Sequence, residues 1–231
     1  MTLPTPHPPI DQRRPLTPAK AHGSLALLVG HLLVAPYGLR EVDSAPSIAL
    51  QTAFYLLLVF VLVGVATQRV QLVACLALIV AAAVIRVVAA ADDRLAQAGA
   101  DAALVIVGVI ALVLSVRRVL LTPRVTPALI SAAVSIYILA GVVWAIGFQA
   151  LETLSPGSFR LPDAQLATAG DLYYFSFVTL TTLGYGDVSP VTPIARSCAI
   201  LQAVFGQLFL VVLIGRLVSL QISPLPTTEG A

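Results

Sequence analysis

The residues best placed to do chemistry lie in the stretch TLTTLGYGDVSP, Thr179 to Pro190, within a chain otherwise dominated by Ala, Val, Leu and Ile. Inside it, Thr182, Leu183, Gly184, Tyr185 and Gly186 alternate residues that carry side chains with glycines. Glycine reaches backbone conformations closed to other residues, so this alternation lets successive carbonyls point to one side. A row of carbonyls facing an axis can replace the water shell of a dehydrated cation. Irregular backbone of this kind is tolerated at membrane depth only where protein buries it or where it lines an aqueous path. Apolar elements must therefore hold it from both sides.

The composition supplies them. Hydrophobic residues make up 58% of the 231 and charged residues only 10%, against roughly a quarter charged in soluble domains. The apolar residues come in blocks rather than in amphipathic patterns, which points to the bilayer as solvent. With about 20 apolar residues per crossing, six spans are expected: Gly23–Tyr37, Ile48–Ala66, Leu72–Ala91, Ala98–Val116, Ala128–Phe148 and Ile194–Val218. Arg13, Arg14, Lys20, Arg69, Arg117, Arg118, Arg124 and Arg216 fall on one side of that layout. The other side holds Arg40, Arg94, Arg160 and Arg196 among nine Asp and Glu residues. Because Lys and Arg accumulate in cytoplasmic loops, both termini are expected in the cytoplasm and the Gly-Tyr-Gly loop at the outer face.

The expected fold is an all-α membrane protein of six transmembrane helices, with a re-entrant helix and the loop between helices 5 and 6. Residues 1–22, rich in proline, read as a disordered cytoplasmic tail, and 222–231 as a second, short one. Between them, 23–125 form a four-helix membrane domain and 126–221 the domain that carries the loop.

At TTLGYGD, Thr181 to Asp187, the chain resembles the tetrameric potassium channels, whose selectivity filter reads TVGYG followed by Asp; Leu183 stands for the usual Val. The resemblance runs from Ala128 to about Leu220 and is to the bacterial six-span type. YYFSFVTLTT, Tyr173 to Thr182, is also similar to the pore helix of two-pore-domain channels, which carry two such loops where this chain has one. The resemblance implies Thr182, Leu183, Gly184, Tyr185 and Gly186 as the ion-coordinating residues, with K+ held at the carbonyls of the first four and at the Thr182 hydroxyl. It further implies that Gly186 and Asp187 close the outer mouth. Tyr174 and Phe175 would form an aromatic cuff that, with Thr181, supports the filter. Four identical subunits surrounded by lipid, K+ as permeant ion, no cofactor, no nucleic acid and a bacterial plasma membrane complete the implied picture. No regulatory partner is named by any motif.

Other residues have plainer readings. Asp171, after Gly170 at the start of the short helix, is expected to cap its free N–H groups, and the helix points its negative end at the ion path. Val178 stands where some bacterial relatives have a buried Glu, which removes one partner for Asp187. Gly206 lies at the family's hinge spacing but reads equally as a small residue for close helix packing, a role also expected of Gly215. Gln207, Leu210 and Ile214, at i, i+3 and i+7, share one helix face, expected to line a cavity. Arg86 is either a functional intramembrane charge or a side chain reaching outward to Asp92, Asp93 or Asp101. His31 reads as a packed residue, Cys75 and Cys198 as small apolar fillers, and Trp144 as part of the interfacial belt.

An enzyme is not indicated, since no paired acid and base or metal set occurs. A potassium transporter would need the loop repeated within the chain, and the loop occurs once. A less selective cation channel, or a membrane subunit regulated by an unknown partner, remains the alternative. Steep voltage gating is not expected either: Ala102 to Val116 carries no charge, and the adjacent Arg117 and Arg118 read as topology anchors.

Overall fold

The computed structural model describes residues 18–38, 53–54, 56–60, 69–88, 93–122, 125–162 and 165–222. The proline-rich segment before residue 18, the segment after 222, the side chain of Arg86 and most of the expected second span lie outside what is described; 53–54 and 56–60 are helical. Among the described residues the elements with defined bounds are, in order, α1 Pro18–Gly38, α2 Arg69–Val88, α3 Arg94–Leu121, α4 Pro127–Leu154, β1 Phe159–Arg160, α5 Ala169–Leu180, β2 Ser189–Pro190 and α6 Pro193–Ile222, the two strands forming one sheet.

The bounded helices lie over five of the six expected spans, the second being mostly outside the described residues, and among the described residues three are long and apolar enough to cross a bilayer: α3, α4 and, within α6, Pro193–Arg216. Leu72–Ile85 of α2 is a shorter apolar run. Helix α1 covers the expected first span, but Gly23, Gly30 and His31 dilute it, and it is not among the three.

The helices run past the apolar blocks because their ends are set by caps. Asp93 accepts a hydrogen bond from Ala96 N at 3.0 Å, so α3 starts at Arg94 rather than at Ala98. Thr126 accepts from Leu129 N at 3.2 Å ahead of Pro127, whose fixed φ suits a first helical position. Thr192 likewise accepts from Ala195 N at 3.3 Å at the start of α6.

Helix α4 is the hub. It packs against α1, α3, α5 and α6, while α2 packs on α3. One apolar core joins Leu28, Leu58, Cys75, Val107, Leu139, Val142 and Tyr173 across these elements. His31 sits within it, its ring centroid 5.7 Å from that of Phe54 and 5.8 Å from that of Tyr173. A second cluster of Phe148, Phe159, Leu172, Phe175, Val188 and Ala195 surrounds the start of α5, with Trp144 and the half-buried Cys198 packed against it. At the opposite end, Arg216 of α6 donates to the Thr122 carbonyl, between α3 and α4, at 3.0 Å.

Candidate functional site

Helix α5 has 12 residues and a reciprocal N-terminal cap. Thr168, extended at φ −81° and ψ 168°, is the cap residue: its hydroxyl accepts from Asp171 N at 3.3 Å, while Asp171 Oδ2 accepts from Thr168 N at 2.9 Å. Asp171 is therefore not the cap itself, as the sequence reading had it, but the third helical residue of a capping box. The helix opens at Ala169 because the Thr168 hydroxyl satisfies one of its free amides, that of Asp171.

Each face of α5 meets a different neighbour. Tyr173 turns to α1, and its buried hydroxyl has no hydrogen-bond partner among the described residues. Phe175 lies 5.2 Å from Phe148 of α4 and 5.3 Å from Phe159 of β1, centroid to centroid. Phe177 rests on Gly141, where a Cβ would stand 2.5 Å from its ring. Tyr174 reaches forward, and its hydroxyl donates to Asp187 Oδ2 at 2.8 Å. Desolvation, then the hydrogen bond and charge of Asp187, push this hydroxyl up to about 12. The other Asp187 oxygen accepts from Val188 N at 3.1 Å. Val178 is buried.

At the C-terminal end of α5 the chain folds its amides back onto the helix. Thr181 N donates to Phe177 O at 3.0 Å, Thr182 N to Thr179 O at 3.0 Å, and Leu183 N and Gly184 N to Val178 O at 2.9 and 3.3 Å. The Thr181 hydroxyl adds a bond to Phe177 O at 2.7 Å. Among the described residues, the carbonyls of Thr182, Leu183, Gly184 and Tyr185 accept no hydrogen bond. Positive φ recurs at every second residue: 59° at Thr182, 60° at Gly184 and 80° at Gly186. Such values come readily to the two glycines and are uncommon for Thr182. Residues 181–187 are all exposed in the single chain.

Beyond the loop, β2 pairs with β1, Phe159 opposite Pro190 and Arg160 opposite Ser189. Glu152 holds the near side of that pair by accepting from Gly157 N at 2.6 Å and Phe159 N at 3.0 Å. Behind the loop, Gly206 of α6 lies so close to the end of α5 that a Cβ would run into the Leu180 carbonyl oxygen. That same oxygen accepts from the Tyr137 hydroxyl at 3.0 Å. Gln207 Nε2 donates to Thr182 Oγ1 at 3.4 Å.

The structure thus brings Thr181 to Asp187, Tyr174, Gly206 and Gln207 together. Phe175 faces the second cluster within its own chain, Leu210 is half-buried and Ile214 is exposed a turn further along α6. A Cβ on Gly215 would meet nothing within 4 Å, so the close packing expected there has no partner among the described residues. Sequence reasoning missed Thr168, Tyr137, Glu152, Ser176 and Gln202. The pattern Thr-x-x-Asp was a legible cap signal, and Gln202 in an apolar span is a polar residue of the kind that calls for a partner.

Residues 131–221 match a family model described as ion channel. A stretch of 90 residues is 30% identical to the inward rectifier potassium channel Kirbac3.1 of Paramagnetospirillum magnetotacticum, covering 37% of this chain and 27% of that protein. Another of 64 residues is 38% identical to two pore potassium channel c of Oryza sativa subsp. japonica, covering 28% of this chain and 14% of that one. The chain therefore spans well under two thirds of either relative. These likenesses point to a channel rather than an enzyme. The matched segment contains α5, the loop and nearly all of α4 and α6, so this chain, an integral membrane protein, is similar over residues 131–221 to ion-channel domains, including parts of two potassium channels.

Proposed function

We propose that this chain is one of four identical subunits of a potassium-selective channel that conducts passively and is not steeply voltage-gated. One observation carries the reading: the amides of Thr182 to Gly184 are engaged by α5 while the carbonyls of Thr182 to Tyr185 are unengaged. Alternating backbone handedness at 182, 184 and 186 is the device that turns successive carbonyls toward one side. Four such rows around an axis supply oxygen cages for a dehydrated K+.

A single loop cannot enclose an axis, and cyclic closure with identical interfaces is the economical solution. The state of α6 supports it. Ile194, Ile200, Leu201, Val204, Leu208, Val211 and Val212 are all exposed in the single chain. In this arrangement Gly186 and Asp187 form the outer mouth, and Gln207, Leu210 and Ile214 line the cavity on the inner side.

The voltage reading rests on α3. Each elementary charge carried across the membrane contributes about 2.3 kcal/mol per 100 mV, and steep gating needs roughly three or four per subunit. Between Arg94 and Arg117, α3 holds one ionisable residue, the buried Asp101.

Purified protein in liposomes should pass K+ and Rb+ far better than Na+, and mass measurement in detergent should give a tetramer. Sodium flux comparable to potassium flux would favour the less selective cation channel. A conducting monomer or dimer would remove the four-subunit arrangement.

A further inference from the structure

Behind the loop, three helices are joined by a short chain of polar groups with no access to solvent. Ser176 of α5 and Gln202 of α6 are each 0% exposed. Gln202 Nε2 donates to Ser176 Oγ at 2.7 Å and to the Ser176 carbonyl at 3.0 Å. Ser176 Oγ in turn donates to the Gly141 carbonyl of α4 at 2.7 Å. Their neighbours along the two helices are apolar: Leu172 and Phe175 of α5 and Ala195, Cys198 and Ala199 of α6 belong to one hydrophobic cluster.

The amide can sit only one way round. The Ser176 carbonyl can only accept, so Nε2 must face it, and Gln202 Oε1 is left buried with no donor among the described residues. A Leu or Met would fill the same space without an orphaned oxygen. What Gln202 contributes over such a filler is therefore geometry. Bonds of this length tolerate little displacement, whereas sliding a helix by one residue moves it about 1.5 Å. Satisfying both donors fixes the height of α5 against α4 and α6 together.

We infer that Ser176 and Gln202 are positioning residues that set the depth of α5, and with it the register of the carbonyls at 182–185. The inference rests on the potassium-channel reading above. It also divides α6. Residues 193–205 are fastened to α5 through Gln202, and one turn further on Gly206 abuts the Leu180 carbonyl.

The test compares wild type, Ser176→Ala, Gln202→Met, the double variant and Ser176→Thr, each reconstituted as the assembled oligomer. Assembly is read by mass, and selectivity by the reversal potential under opposed K+ and Na+ gradients. Either single loss should raise relative Na+ permeability roughly three- to tenfold, the scale of one lost hydrogen bond. The double variant should be no worse than the singles, because both break one link. Ser176→Thr, which keeps the hydroxyl, should behave as wild type. If Gln202→Met fails to assemble, Ser176→Ala, which deletes one oxygen atom, decides the question with Ser176→Thr. Assembled variants with the wild-type reversal potential, or singles whose effects add, would overturn the positioning role. A wild type that fails to discriminate K+ from Na+ would instead refute the channel reading.

Discussion

Replacing Gly206 by Ala separates the two roles open to that residue, hinge and close contact. In a helix interior Ala is favoured over Gly by about 1 kcal/mol, so local propensity gains from the change. Packing loses. The added Cβ would strike the Leu180 carbonyl oxygen and lie 3.0 Å from Leu180 Cδ1 and 3.3 Å from the carbonyl carbon. The obstacle is backbone, already fixed as acceptor for the Tyr137 hydroxyl, so no rotamer change relieves it. Overpacking of this kind costs typically about 1–3 kcal/mol, leaving a net loss of roughly 0–2 kcal/mol per subunit once propensity is credited. Separation of α5 from α6 should follow, on the order of 1 Å for an ordinary contact to be restored. Leu180 is two residues from Thr182, so the strain is delivered to the carbonyl row. Melting of the detergent-solubilised oligomer should fall by a few degrees, and K+/Na+ selectivity in bilayers should fall clearly. Wild-type selectivity and melting combined with a reduced open probability would refute this reasoning and make Gly206 a hinge.

Removing the Tyr174 hydroxyl with Tyr174→Phe deletes a bond to a carboxylate, worth about 1.5–3 kcal/mol, and should shorten open lifetimes; unchanged single-channel records would discard the brace. The same bond has a pH signature. With the folded Tyr174 raised from 10.0 to about 12, the unfolded chain binds fewer protons in that window, so this stabilisation is complete below about pH 10 and fades as pH rises to 12. Tyr174→Phe should flatten that part of the alkaline melting profile. Gly184→Ala, at φ 60° with open space for the Cβ, meets a conformational penalty of about 1–2 kcal/mol and should abolish selective flux measured with Rb+. Gln207→Leu frees the Thr182 hydroxyl of its donor and should tighten internal Ba2+ block, read from the dose–response in bilayers.

The helices were legible because a bilayer imposes a length on every apolar run, and the loop was legible because glycines at alternate positions state a backbone requirement. Their ends were less so. Helix α4 continues to Leu154, beyond its apolar stretch, because nothing in 149–154 breaks a helix and Glu152 finds amide partners in the following turn. Asp171 was correctly placed near the helix start and wrongly cast as its cap, since a carboxylate preceded by Thr168 at three residues does better as the second half of a reciprocal pair. Ser176, Gln202 and Tyr137 show a different limit. A polar residue in an apolar run announces that it needs a partner, but the partner is chosen by which helices touch, and no periodicity carries that.

The folding back of the 182–184 amides onto α5 has a consequence for the sign of the ion. With those N–H groups engaged, the backbone there has carbonyl lone pairs left to offer and few hydrogens. An anion arriving at that stretch would find acceptors where it needs donors. On the proposed channel reading, discrimination against chloride would rest on the peptide bonds rather than on carboxylates, and it should persist at acidic pH, where a ring of Asp or Glu side chains would lose its charge.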